Sequence, residues 1–332
     1  MRQVSHRAGR PTVGEALQAA ARRLGRARVH FGHGTDNALD DAAVLLWHAM
    51  GYDYDVAPER AYGRRMSAAQ VGAFEALLAR RIALREPAVY LTGLTLYAGI
   101  PLRIDRRALV PRSPIAELVE RGFAPWIDPR RVRRVLDLGT GSGCIAIACA
   151  RWMPGIQVDA TDVSADALAL ARENVRRLRL GRRVHVLESD HFAALRGRRY
   201  DIIVSNPPYV GARELRGLPA EFRHEPRMAL AAGRDGLDSV RRILDGAARH
   251  LAPGGILVVE VGNTETLVRR RWPRLPFTWL EFERGGGGVF LLTREQLAAQ
   301  RAAQKATAHR SAQRRPTAAR NTARSKKARH VR

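Results

Sequence analysis

Cysteine is nearly missing from this chain. Its two cysteines, Cys144 and Cys149, lie five positions apart in one apolar segment. That spacing suits neither a disulfide framework nor a zinc site, so a reducing cytoplasm is the default expectation. Nor does any run approach the roughly 20 consecutive apolar residues that a membrane helix requires. The opening stretch, Met1–Gln18, lacks the apolar core of a secretory signal; being basic and acid-poor, it leaves organelle targeting open as the minor alternative. Acidic residues are scarce as well. With 32 Asp and Glu against 57 Lys and Arg, the chain carries a formal charge of +25. No internal repeat is visible.

What the chain does have is length and periodicity. Its 332 residues, 45% of them hydrophobic, hold one large or two ordinary domains with a substantial core. From Val13 to about Arg85, apolar residues three and four apart predict helices, with Asn37 or Asp36 and Ser67 as N-caps. Between Pro87 and Val110 the period shifts toward two, predicting a β-hairpin turning at Gly99 and Pro101. From Val132 onward strands and helices alternate, which predicts a mostly parallel sheet covered on both faces. The last two strands, "FTWLEFE" and "GVFLLT", are separated by a four-glycine turn too short for a crossover, so they must pair antiparallel. Beyond Leu297 large apolar residues almost vanish. Arg294–Arg332 holds twelve Lys and Arg against Glu295, which predicts a disordered basic tail, either a nucleic-acid-contacting arm or a solubilising extension.

The run "LDLGTGSGC" ends the first strand of the alternating series and opens a helix. Glycines there permit a tight turn and close approach of a ligand to the backbone. Gly139 and Gly141 fit a dinucleotide fingerprint, but its third glycine falls one place early, at Gly143, and the phosphate-loop Lys is missing. Asp137 places negative charge where a pyrophosphate would sit. A ligand with a positive centre and an amino group, S-adenosylmethionine, is the better guest. Asp162, at the end of the second strand, is placed to accept hydrogen bonds from ribose hydroxyls; capping the helix at Ser164 is its ordinary alternative. Asp190, ending the third, is placed for an exocyclic amine, again with helix capping as the alternative, and Phe192 is available for the purine face. Three acids converge on the carboxyl edge of the sheet, where open α/β folds bind ligands.

The fourth strand stops at "NPPY". The side-chain carbonyl of Asn206 and the main-chain carbonyl of Pro207 are two acceptors, held in place by prolines whose φ is locked. Together they can take both hydrogens of a planar –NH2 group, with Tyr209 stacking on its π-system. An amide or nucleobase nitrogen gains positive charge as it attacks a methyl carbon, and such acceptors stabilise that charge most in the transition state.

With these residues in place, the chain resembles the HemK-type protein glutamine methyltransferases, most finely their PrmB branch. "FGHGTDNALDDA" (Phe31–Ala42), "VPRSPIAELVE" (Val110–Glu120), "EFRHEPRMALAAGRDGLD" (Glu221–Asp238), "EVGN" and "FTWLEFERGGGGVFLLTREQL" carry the likeness, which spans roughly Val13 to Leu297. The resemblance implies a Rossmann-like, seven-stranded class I methyltransferase sheet behind a small helical domain and hairpin. It implies methyl transfer from S-adenosylmethionine to a glutamine side-chain amide of large-subunit ribosomal protein three. Asn206, Pro207, Pro208 and Tyr209 would hold the substrate amide, with Arg112 and Ser113 at the mouth. Asp137, Gly139, Gly141, Gly143, Asp162, Asp190, Phe192 and Asn206 would hold the cofactor. Glu225 and Pro226 would support them, a loop ion pair being the plain alternative for Glu225. Where many branch members have Asp-Met-Cys-Thr-Gly, this chain has Asp137-Leu138-Gly139-Thr140-Gly141, and the basic tail has no family counterpart.

The expected organisation is a flexible stretch at 1–12, a helical recognition domain at 13–86, hairpin and connector at 87–115, a methyltransferase domain at 116–297 and the tail at 298–332. The rivals are a glutamine methyltransferase acting on peptide release factors, an adenine-specific nucleic-acid methyltransferase, a non-enzymatic ribosome-assembly factor and, weakest, an NAD oxidoreductase. Expected partners are the ribosomal protein, within assembly intermediates, and RNA through the tail.

Overall fold

A computed structural model describes residues 9–53 and 58–313. The N-terminal helices are α1 (Val13–Arg26), α2 (Ala38–Met50), α3 (Pro58–Ala61), α4 (Ala68–Leu84) and α5 (Ala88–Thr92). They form because each has a stripe to bury: Val13, Leu17, Ala20 and Leu24 of α1 pack with Leu45 and Leu46 of α2 and Phe74 and Leu78 of α4. Asn37 and Ser67 cap α2 and α4 as expected. The stretch ahead of α1 departs from the expected flexibility. Thr12 closes a capping box with Glu15, and Pro11 O accepts from Met66 N at 3.0 Å. Residues 1–8 lie outside the described residues.

The hairpin is β1 (Leu94–Tyr97) and β2 (Ile100–Arg103), shorter than its alternation suggested, since Ala88–Thr92 before it is helical and packs under α2. A connector leads through α6 (Ile115–Glu120) into β3 (Arg134–Leu138), α7 (Cys144–Trp152), β4 (Gln157–Asp162), α8 (Ala165–Arg177), β5 (Val184–Glu188) and β6 (Tyr200–Ser205). Then come α9 (Ala212–Leu215), α10 (Arg227–Leu230), α11 (Asp238–His250), β7 (Leu251–Glu260), α12 (Glu265–Arg271), β8 (Thr278–Leu280), β9 (Val289–Thr293) and α13 (Arg294–Gln313).

The large sheet has seven strands in the order β5-β4-β3-β6-β7-β9-β8, parallel except at β9, which runs antiparallel to both β7 and β8. This is the class I methyltransferase architecture that the family resemblance implies. Strand alternation divides two cores: Val135, Ile202 and Val258 face α6, α7 and the hairpin, while Leu136, Ile203 and Val259 face α11, α12 and Leu297 of α13. Strand β8 keeps only three residues of "FTWLEFE".

The tail requires a correction. Residues 298–313, expected to be disordered, continue helix α13. Thr293 and Gln296 form reciprocal bonds at its start, Leu297 is buried, and the alanine-rich sequence favours helix without large side chains. Residues 314–332 lie outside the described residues. Among those described, no helix is long and apolar enough to cross a membrane.

Candidate active site at the carboxyl edge of the sheet

Register brings the site together. Leu138 of β3 pairs with Thr161 of β4 on one side and Ser205 of β6 on the other, so the glycine turn, Asp162 and Asn206 leave the sheet side by side. In the turn Gly139, Gly141 and Gly143 all have positive φ, at 72°, 56° and 83°. Residues with a Cβ adopt that backbone only under strain. Asp137 is not in the cavity wall as expected. It lies fully buried beneath the turn, where Oδ2 accepts from Thr140 Oγ1 at 2.6 Å and from Ala146 N at 3.1 Å, while Oδ1 has no partner. Its role is to tie the turn to the first turn of α7, and burial pushes its carboxyl up to about 7.

Asp162 does line the cavity. Its Oδ2 accepts from Gly141 N and its Oδ1 from Ser164 N, each at 2.9 Å, while the cap of α8 is Ser164 itself. Asp190 also lines the cavity, with its carboxylate already bound by Arg242 at 2.7 Å and His191 at 2.8 Å. The Arg242 and His191 hydrogen bonds hold that carboxyl below its ordinary range. Phe192, expected at the purine face, lies outside the residues that line the cavity. His191 takes φ of 53°, which turns the chain so that His191 faces the cavity, whereas Phe192 stacks on His250 with centroids 4.7 Å apart and presses on Gly246. Val163 and Ile243 supply apolar cavity wall instead.

Ser205 Oγ donates to Leu138 O at 2.7 Å, locking β6 to β3 just before Asn206. Asn206, Pro207 and Pro208 all line the cavity, and the Oδ1 of Asn206 is buried without a hydrogen-bond partner. Tyr209 departs from its expected place. Its ring lies against Gly262, and its hydroxyl donates to Glu260 Oε1 at 3.2 Å, outside the lining residues. Glu260, at the end of β7, also accepts from Ser113 Oγ at 2.5 Å, and burial raises its carboxyl. Ser113 and Arg112 line the cavity from the connector. Arg112 holds Glu225 through two bonds, 2.6 and 2.9 Å, with its guanidinium over the Phe222 ring. Glu225 is thus the buried member of a loop ion pair, and it also accepts from Val110 N at 3.1 Å. Pro226 reaches the wall.

Behind this loop stand groups that motif reading passed over. His33 Nε2 lies 3.7 Å from Glu225, but burial, helped by Arg112, pushes its pKa down to about 3, so the imidazole is neutral and no salt bridge forms. Arg81 of α4, 1% exposed, donates to Asp41 at 2.6 Å, to His30 O at 2.7 Å and to Glu221 at 3.3 Å. The helical domain is therefore bonded to the segment that follows Asn-Pro-Pro-Tyr. Arg81 sits in a basic run and Glu260 in a plain strand, so neither stood out by spacing.

The cavity, about 250 Å³, fits S-adenosylmethionine in kind. Asp162 and Asp190 present negative charge, and the two arginines in the wall are committed, Arg107 to Asp105 and Glu173 and Arg112 to Glu225. A pyrophosphate would find no free cation there among the described residues. A cationic ligand bearing a ribose finds carboxylates, and a Cβ added at Gly139 would meet only open space.

Comparison with known proteins agrees with this geometry. The family model described as Methyltransferase small domain matches residues 121–233, and the PrmC N-terminal domain matches residues 15–93. The ribosomal protein uL3 glutamine methyltransferase of Xanthomonas campestris pv. campestris is 46% identical over 289 residues, covering 87% of this chain and 93% of that protein. Its namesake in Xylella fastidiosa is 47% identical over 289 residues, covering 87% and 92%. The one in Bordetella pertussis is 44% identical over 287 residues, covering 86% and 96%. With the glycine turn, the sheet order and the Asn-Pro-Pro-Tyr terminus all in place, the chain belongs to the ribosomal protein uL3 glutamine methyltransferase family.

Proposed function

We propose that this protein transfers a methyl group from S-adenosylmethionine to the side-chain amide nitrogen of a glutamine in ribosomal protein uL3. The observation that carries the reading is the partnerless Oδ1 of Asn206, buried at the end of β6 in the wall of a cavity shared with the glycine turn. A buried acceptor left unpaired costs about 1–3 kcal/mol. A substrate N–H removes that cost.

S-adenosylmethionine supplies a methyl carbon activated by the sulfonium to which it is bonded. The residues of this chain supply position and charge stabilisation. Asn206 Oδ1 and the Pro207 carbonyl accept the two amide hydrogens, so that positive charge growing on nitrogen meets two oxygens already oriented toward it. The sulfonium would be the leaving group, and the amide nitrogen, once methylated, would shed its surplus proton to water. Asp162 would hold the ribose hydroxyls of the cofactor, and Val163 would flank its base. Tyr209 does not stack on the amide; through Glu260 it holds the loop in which Asn206 sits.

The helical domain, 13–86, and the hairpin and connector, 87–115, are the parts we assign to substrate recognition; 116–297 carries the chemistry. The substrate is met in the cytoplasm within assembly intermediates, and the basic C-terminal region adds RNA contact. The test is incubation with methyl-labelled S-adenosylmethionine and, separately, uL3, a peptide release factor and ribosomal RNA. Label on one glutamine peptide of uL3 supports the proposal. Label confined to the release factor, or to RNA after protease digestion, rejects it.

A further inference from the structure

The segment from Gly211 to Arg234 leaves the sheet directly after Asn-Pro-Pro-Tyr and folds back on itself. Its base is closed by Val210 N to Leu230 O at 2.9 Å, Ala232 N to Val210 O at 3.0 Å and Ala212 N to Gly233 O at 3.0 Å. One flank, including Pro226, Met228 and Ala229, walls the cavity. The segment carries five arginines, Arg213, Arg216, Arg223, Arg227 and Arg234, all exposed. Among the described residues none of their side chains has a hydrogen bond or ion pair. Of its three acids, Glu221 and Glu225 are buried against Arg81 and Arg112, which leaves Glu214 as the exposed one. The contrast with the surroundings is sharp: Arg107 and Arg112 in the cavity wall, and Arg241 and Arg242 of α11, are each paired with a carboxylate.

We infer that this arginine rim binds the phosphate backbone of RNA lying beside the target glutamine. The inference rests on the proposed function, because a ribosomal protein presents its side chains next to ribosomal RNA. Guanidinium groups match phosphate oxygens bidentately, and binding them releases counterions from the RNA. The segment that carries these arginines is anchored at the cavity wall through Pro226, Met228 and Ala229, so phosphates held there would fix the approach of the protein loop between them. This contact is separate from the C-terminal basic region.

The experiment uses the full-length protein and a variant carrying Arg213→Gln, Arg216→Gln, Arg223→Gln, Arg227→Gln and Arg234→Gln. Binding of a labelled fragment of ribosomal RNA is measured against salt by fluorescence anisotropy. Methylation is measured on free uL3 and on uL3 bound to that RNA. The inference expects the slope of log affinity against log salt to fall by about 2–4, each lost phosphate contact removing about 0.7–0.9. It expects KM for RNA-bound uL3 to rise at least about tenfold, with free uL3 methylated as before. An unchanged slope and unchanged KM would overturn it. So would an equal loss on free uL3, which assigns the rim to protein contact, or equally tight binding of polyglutamate by the parent, which assigns it to acidic polypeptides. If the parent methylates neither form of uL3, the proposed function fails, while the anisotropy still decides the rim.

Discussion

At the scale of single residues, the proposed function divides the work between Asn206, for chemistry, and Asp162, for cofactor. Replacing Asn206 with Ala removes an acceptor whose bond strengthens only as nitrogen becomes positive. The expected result is a turnover at least a hundredfold lower, about 2.7 kcal/mol of barrier, with cofactor affinity within about twofold of the parent. Single-turnover kinetics and calorimetry together read both quantities. Asp162→Ala should act in reverse. Loss of a charged hydrogen-bonding partner, worth about 1.5–3 kcal/mol, weakens cofactor binding by at least about tenfold, and calorimetry would show it. Two buried groups give pH dependences of opposite sign. His33 is held neutral down to about 3 in the fold, against 6.5 for an ordinary imidazole. Unfolded chains therefore bind the extra proton first, and the contribution of His33 to stability is lost as pH falls from about 6.5 toward 3. Asp137 has its carboxyl raised to about 7 from 3.8, so the folded state holds the extra proton and stability declines as pH rises across that interval. Denaturant titrations of His33→Gln and Asp137→Asn against the parent should each remove its own slope.

At the scale of elements, Glu260 joins three pieces of chain. From the end of β7 it accepts from Ser113 of the connector and Tyr209 of the Asn-Pro-Pro-Tyr run. Glu260→Ala removes the acceptor of the Ser113 and Tyr209 hydroxyls, a lost bond to a buried group costing about 1–3 kcal/mol, and loosens the loop that carries Asn206. We expect kcat to drop more than tenfold with KM for the cofactor little changed, and Glu260→Gln, which keeps an acceptor, to recover part of it. An equal rise in KM for cofactor would place Glu260 elsewhere in the mechanism. Elements are also where the sequence was most legible. The parallel sheet, its antiparallel close and the caps Asn37 and Ser67 follow from local pattern, because alternation and capping are short-range effects. Phe192 and His191 show where local reading stops. Both follow Asp190, and a single left-handed residue decides which one faces the cavity. The C-terminal helix escaped for a related reason: scarcity of large apolar residues signals disorder, but alanine propensity and the Thr293–Gln296 bonds outweigh it.

At the scale of the whole molecule, the site was legible as a set of strand ends but not as a junction. Nothing in the spacing of Arg81, Asp41, His30 and Glu221 foretells that they meet, since they come from segments up to 191 residues apart in sequence. Removing the buried cation with Arg81→Met leaves the Asp41 carboxylate without its cation and Glu221 with only Arg85, 3.8 Å away, and should cost about 3–5 kcal/mol, measurable by denaturant unfolding.

That knot decides what happens when the protein is cut. A truncated enzyme beginning after the hairpin would retain every strand of the sheet, the glycine turn and Asn206. It would lose Arg81, His33 and the backbone N–H of His30, which donates to Glu221 at 2.8 Å, so that Glu221 keeps its charge with its principal counter-ion gone and one wall of the cavity comes untied. Such a fragment should still capture cofactor yet methylate poorly even a short peptide that needs no recognition domain. In this fold the N-terminal helices are part of the catalytic architecture, not only an address label for the substrate.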